Sequence, residues 1–258
     1  MTFEEYVARS SRWVWDVIGY ARTQQVRMGE DALTSLVVLG VGALEVKGAR
    51  VFDMRAGEHE HGADVALWLE VRGNTWAGVA IQVKKAKLRS GTGFYEKLGH
   101  TVGGRRQVDI LIDYAVHEHM TPLYALLNDA ASMGACRRLG TSCCSVWDDG
   151  WAGCTVVDAA VVKQALAKRG RRTTAWIHGR GRAEAARCAL CRCVREDAAG
   201  FKATALRSRE LPEDVQALLE SSDATVGPSS MRLEKALSED GPPGPAFVVV
   251  VPIDRDAV

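Results

Sequence analysis

The chain has 258 residues, 47% hydrophobic and 25% charged, with a net charge of +1. This is ordinary globular composition, long enough for one sizeable core without staples. The near-neutral balance excludes a partner drawn by overall charge, so any nucleic-acid surface must come from local clusters of Lys and Arg. Seven cysteines is an odd number. Met1 is followed by Thr-Phe-Glu-Glu, which is not the basic-then-apolar pattern of a signal peptide. The longest apolar run, Leu33 to Val46, is interrupted by Ser35 and Glu45 and is too short to span a bilayer. These features predict a soluble, cytoplasmic, single-domain protein with reduced thiols and no membrane partner.

In chain order, residues 2 to 27 predict an amphipathic helix opened by a capping box, Thr2 with Glu5. Phe3, Tyr6, Val7, Val14, Val17, Ile18 and Ala21 fall on one face. A second helix is expected over Glu30 to Leu44. It is apolar nearly all round and should be buried against a sheet. Ala49 to Met54 reads as a short strand.

Two strands then alternate with period two. In the first, Val65, Leu67, Leu69 and Val71 take odd positions, and Asp64, Ala66, Trp68 and Glu70 the even ones. In the second, Val79, Ile81 and Val83 are odd, and Ala80, Gln82 and Lys84 even. The odd face should pack on the core, so Asp64, Gln82 and Lys84 share the other face. Opposed residues of an antiparallel pair point to the same side, so odd must pair with odd. That requires an odd number of loop residues. It excludes a two-residue Gly73-Asn74 turn and predicts a three- or five-residue loop, or a bulge, around Arg72 to Thr75. Asp64 then opposes Gln82 or Lys84, with side chains within about 5–8 Å.

Beyond Lys87 a polar loop with Gly91 and Gly93 is expected. A short helix from Tyr95 to His100, a clearer one from Arg105 to His117 and a strand from Leu123 to Leu127 follow. Strands over Ser142 to Trp147 and Gly153 to Val157 precede a helix capped by Asp158 and running through Lys168. Gly170 to Arg182 reads as basic and irregular. Arg182 to Glu196 and Pro212 to Glu220 have helical composition, Ser221 to Ser230 and Gly241 to Pro245 read as loops, and Phe247 to Val251 should be a closing strand.

An acid on one strand, facing a ligand-x-Lys on its neighbour, supplies the parts of metal-assisted phosphodiester hydrolysis. Oxygen ligands hold a metal that activates water, and a lysine stabilises the developing charge. Asp64 and Gln82-Val83-Lys84, with the element order, resemble the PD-(D/E)xK nuclease superfamily in its Gln-x-Lys variant, found among restriction enzymes of modified DNA and antiviral effector nucleases. Glu30-Asp31-Ala32-Leu33-Thr34, Gly62-Ala63-Asp64, Gln82-Val83-Lys84-Lys85, Gln107 and Pro122-Leu123-Tyr124 further resemble a small bacterial family of this type, over roughly residues 28 to 160. The resemblance implies an α/β, restriction-endonuclease-like fold: an αβββαβ core at about 28–130, with a central mixed sheet flanked by helices, and a C-terminal α/β extension at about 131–258. It implies Asp64 as central metal ligand, Gln82 in place of the second acid, Lys84 as catalytic lysine and Glu30 as helix-borne acid. The cofactor would be Mg²⁺, with Mn²⁺ as an alternative, and the Val83 main-chain carbonyl could also meet it. Gln82 offers one neutral oxygen, so the site lacks a charge. Glu60, four residues before Asp64, could restore an acid.

Each residue has a plainer reading. Asp64 alone is a turn or cap residue, Lys84 alone a solvated lysine, and Glu30 a favourable acid in the first turn of a helix. Lys85, Lys87 and Arg89 after the site, with Arg105 and Arg106 opening the next helix, form either a solvated edge or a phosphate-contacting surface, for DNA rather than RNA. His59 and His61 alternate with Glu58 and Glu60; a polar loop explains them as well as a metal site does. Cys188, Cys191 and Cys193 could hold zinc with Cys136, Cys143 or Cys144, but no second CxxC has the right spacing, and buried or free thiols are the preferred reading. Two functions follow: a metal-dependent endonuclease in restriction or antiviral defence, with a defence-system partner protein or a homodimer, or an inactive nuclease-fold module that binds nucleic acid or protein.

Overall fold

The computed structural model describes residues 1–44, 46, 48–53, 61–71, 75–134, 139, 148–168, 170–195, 207–208, 210–223 and 247–252. The strand expected over 142–147 and the loop over 241–245 lie outside them. Helix α1 (Phe3–Thr23) opens with the expected capping box: Glu5 N donates to Thr2 Oγ1 at 3.2 Å, and Thr2 N to Glu5 Oε2 at 2.9 Å. Helix α2 (Glu30–Ala43) follows. Strands β1 (Arg50–Asp53), β2 (Val65–Val71) and β3 (Thr75–Lys85) come next. Two small hairpins follow, β4 (Lys87–Arg89) with β5 (Thr92–Phe94), and β6 (Thr101–Val102) with β7 (Arg105–Arg106), separated by a 3₁₀ turn at Glu96–Gly99. Helix α3 (Gln107–His117) leads to β8 (Thr121–Leu127) and the one-turn α4 (Ala130–Met133). Then come β9 (Cys154–Asp158), α5 (Ala159–Ala167), α6 (Thr174–His178), β10 (Ala183–Ala185), α7 (Ala186–Arg195), β11 (Arg207–Ser208), α8 (Glu213–Asp223) and β12 (Phe247–Val251).

The central sheet is mixed, in the order β1-β12-β2-β3-β8-β9-β10, with β11 on β3 outside that path. β12 runs parallel to β2 and β3 parallel to β8; the other pairs are antiparallel. A parallel neighbour needs a crossover, and α3 supplies it between β3 and β8. The closing strand does not add to an edge. It inserts between β1 and β2, five apolar residues buried on both sides, as a run without alternation requires.

Helices cover both faces of the sheet. Tyr6, Val14 and Ile18 of α1 and Leu33, Val38 and Val41 of α2 pack on Val65, Leu67, Leu69, Val79, Val83 and Val249. Val108, Leu111 and Ala115 of α3, Val162 of α5 and Val215 and Leu218 of α8 pack on Ala66, Trp68, Ala80, Tyr124, Val248 and Val250. The expected one-sided burial is therefore corrected: the even face is core too, except where the polar residues of the hairpin sit. Trp68 is accommodated because it faces Gly78 across the strand pair. A Cβ there would lie 2.7 Å from the indole.

Several local expectations change. Helix α2 is buried on one stripe only, and Leu36, Leu39 and Leu44 are exposed. The loop after Lys87 is the β4–β5 hairpin. Arg105 and Arg106 do not start a helix: they pair with Thr101 and Val102, and α3 begins at Gln107. The basic stretch 170–182 contains α6, capped by the Thr173 hydroxyl, which accepts from Trp176 N at 3.2 Å. Residues 183–185 of the expected helix form β10, because they pair with β9. Residues 221–223 continue α8. No described helix is long and apolar enough to cross a membrane.

Candidate active site

Val71 pairs with Thr75 and Val65 with Ile81, so three residues separate the paired strands and the pairing is odd with odd, as the alternation required. Asp64 thereby falls opposite Gln82. Pairing of β2 with β3 stops at Val65, while β3 runs on to Lys85 against β8. Amide groups two apart on a strand point to the same edge, so Val83 and Lys85 present N–H groups where β2 has ended. Two carboxylates meet them. Val83 N donates to Asp64 Oδ2 at 2.6 Å, and Lys85 N donates to Glu30 Oε2 at 2.7 Å. Asp64 is fixed by its own main chain on both sides: its N–H donates to Ile81 O at 2.8 Å, and its carbonyl accepts from Phe247 N at 3.1 Å.

The side chains between these amides complete the group. Gln82 Nε2 donates to Asp64 Oδ2 and, at 3.3 Å, to the Val83 carbonyl. Lys84 Nζ stands 3.3 Å from Glu30 Oε1. Both Gln82 and Lys84 are buried, at 1% and 5% exposure. The four residues expected at the site are thus brought together, but as two pairs, Asp64 with Gln82 and Glu30 with Lys84. Glu60 lies outside the described residues, as do Glu58 and His59. His61 is described and packs at a tilt against Tyr114, with ring centroids 4.7 Å apart and planes at 46°.

Three neighbours were given no role by the sequence, although Tyr124 stands in one of its motifs. Tyr124 lies beside Gln82 on β8 and is fully buried. Burial, and then the charges of Asp64 and Asp109, raise its phenol well above the usual value. Arg22, in the last turn of α1, grips Asp129 just beyond β8 with two hydrogen bonds of 2.7 and 3.0 Å. Burial disfavours the Asp129 charge, but the bonds from Arg22 and Ser132 outweigh it and hold the carboxyl below its ordinary value. The signals were an acid directly after a buried strand and an arginine at a helix C-terminus, each common alone.

The basic residues divide. Lys85 turns inward and donates to the Met28 carbonyl, and burial, then the neighbouring Arg22, lower its pKa. It is therefore not part of an exposed run. Lys87 pairs with Glu96, and Arg105 with Asp113, at the surface. Arg89 and Arg106 are exposed.

Among the described residues no group of three His, Cys, Asp or Glu side chains converges to hold a metal ion. Cys188 and Cys191 are buried in α7. At the hairpin the donor set is instead one carboxylate and one amide. Gln82 Oε1 is buried and, among the described residues, accepts no hydrogen bond. The amide nitrogen, not this oxygen, faces Asp64, so Asp64 and Gln82 fit a hard cation once the amide turns over and brings the oxygen beside the carboxylate.

No curated protein and no solved structure matches the chain. A family described as of unknown function, DUF6615, matches residues 3–250, and the chain belongs to that family.

Proposed function

We propose that this protein is a metal-dependent nuclease with a restriction-endonuclease-like core, of the Gln-x-Lys type in the PD-(D/E)xK superfamily, acting on DNA in restriction or antiviral defence. One observation carries the reading: Asp64, Gln82, Lys84 and Glu30 meet along the four β3 residues that extend past β2. The succession α2, β1, β2, β3, α3, β8, with β3 parallel to β8, supports the core assignment.

With the Gln82 amide turned over, so that its oxygen rather than its nitrogen faces Asp64 and the Val83 carbonyl, these groups would hold Mg²⁺ or Mn²⁺, which when bound would supply an activated water and offset charge on the phosphate. The Lys84 ammonium is the group for negative charge developing on the phosphate oxygens. Glu30, 3.3 Å away, orients it. Gln82 leaves the site one negative charge short, so the affinity for Mg²⁺ is weak and cleavage needs millimolar metal.

The test incubates the protein with plasmid, linear DNA and RNA, in Mg²⁺, Mn²⁺ or EDTA, beside Asp64→Asn and Lys84→Ala. Metal-dependent cutting that both variants lose supports the enzyme. Equal cutting by wild type and Lys84→Ala removes the site assignment.

A second reading has its own observation. Both Glu30 oxygens and one Asp64 oxygen already satisfy groups of the fold. A nuclease fold kept for binding would retain them for that reason alone, and would bind nucleic acid without cutting it in any metal.

A further inference from the structure

A cleft of about 650 Å³ lies between the β4–β5 hairpin and the segment joining α5 to α6. Its walls carry Arg89, Lys168 and Arg172, all exposed, with Thr92 and Thr173 between them. Among the described residues the one acid on the wall, Glu96, is paired with Lys87. The two walls are tied by main chain: Phe94 bridges to Thr173, and Tyr95 N donates to Arg172 O at 2.9 Å. The three cations therefore project from a connected frame. Behind them Arg171 and Arg182 stack on Trp176, 5.2 and 4.2 Å from the ring centroid. These two are engaged with the ring, which leaves Arg89, Lys168 and Arg172 as the cations facing the cleft among the described residues.

We propose that this cleft is the track for the nucleic-acid backbone, with Arg89, Lys168 and Arg172 on successive phosphates. The assignment rests on the nuclease reading for its substrate class. Guanidinium and ammonium groups with hydroxyls between them match a line of phosphates rather than base edges, so the track is indifferent to sequence. Its position suits the reaction. β4 begins two residues after β3 ends, and Arg89 lies five residues beyond Lys84. A chain of that length spans at most about 17 Å, or about five steps of a duplex strand at roughly 3.4 Å each. Arg89 is therefore held close to Lys84 by the main chain, on the side of the sheet end where β3 passes into β4.

Binding is measured in EDTA, where no cutting is needed, by fluorescence anisotropy of a labelled 20-residue DNA over a range of salt. The proteins are wild type, the triple variant Arg89→Gln/Lys168→Gln/Arg172→Gln, and Arg9→Gln as a control on the far helix α1. The triple variant is expected to bind about tenfold or more weakly at moderate salt, with a log–log salt slope smaller by about 2 to 3. Arg9→Gln should match wild type. The track is overturned if the triple variant keeps the wild-type affinity and slope, if wild type binds no DNA or RNA, or if AMP binds as tightly as the 20-mer. Loss of binding in the triple variant, together with no cutting by wild type in any metal, upholds the track and removes the nuclease reading instead.

Discussion

The Asp64 carboxylate takes the place of a missing strand: it accepts the Val83 amide proton at 2.6 Å where the β2 ladder has run out. A hydrogen bond to a charged acceptor contributes about 1.5–3 kcal/mol net. Asp64→Ala should therefore lower stability by roughly 2 kcal/mol as well as abolish activity. Asp64→Asn keeps an acceptor and loses the charge, and should retain most of the stability without activity. Urea unfolding beside a cleavage assay separates the two effects.

Lys84 and Glu30 form a nearly buried ion pair, with side chains 6% and 14% exposed. Removing one partner strands the other, which costs about 3–5 kcal/mol for a fully buried pair. Lys84→Met is expected to destabilise toward the lower end of that range. Adding Glu30→Gln to it should recover part of the loss, because the amide oxygen still accepts from Lys85 N. A double-mutant cycle that comes out additive would show the pair to be uncoupled.

His178 gives the fold a pH dependence. Its Nδ1 donates to the Thr174 carbonyl and its Nε2 accepts from the Thr155 hydroxyl, both at 2.9 Å. Burial is the main influence and lowers its pKa to about 4, against the Thr174 bond, which raises it. The unfolded chain binds this proton near pH 6.5 and the fold refuses it until about pH 4. Stability is therefore full above pH 6.5 and falls as pH drops through that window, by roughly 3 kcal/mol in all. Denaturation at pH 7.5, 5.5 and 4.5 should show this fall, and His178→Gln should flatten it.

Tyr124 buries a hydroxyl that makes no hydrogen bond among the described residues. Deleting an unpaired buried hydroxyl is neutral or favourable. Tyr124→Phe is expected to shift stability by less than about 1 kcal/mol, toward greater stability. A large loss would mean that the hydroxyl is bridged by water to Gln82 or Asp64.

Gly78→Ala tests the packing of the even face. The new methyl would meet the Trp68 ring at 2.7 Å and Met120 Cγ at 3.0 Å. Overpacking of this kind costs about 1–3 kcal/mol, and thermal melts should show it. The residues of the candidate site lie elsewhere on the strands, so cutting below the transition should be unchanged.

Strict alternation in Val65–Val71 and Val79–Val83 made the hairpin register legible, and with it the meeting of Asp64 and Gln82. The Thr2–Glu5 capping box and the Asp158 cap were readable because their partners lie within a few residues. What escaped depended on partners outside the segment itself. Nothing local distinguishes Ala66 and Trp68 as buried, since their cover comes from α3 and α8. Arg105 and Arg106 have helical propensity, yet they pair as a strand with residues just before them. Lys85 belongs to a basic run by sequence, but the Met28 carbonyl lies within its reach only after α1 and α2 are in place.

β12 has a consequence for how the protein is made. It lies between β1 and β2, and Phe247 holds the main chain of Asp64. A chain emerging from the ribosome contains all four candidate catalytic residues long before it contains that strand. Non-local pairing of this kind is slow to form. Assembly of the site therefore waits for β12, because the main chain of Asp64 is not held until that strand is in place. Chains stopped at residue 246 are expected to fail to fold rather than to retain partial activity.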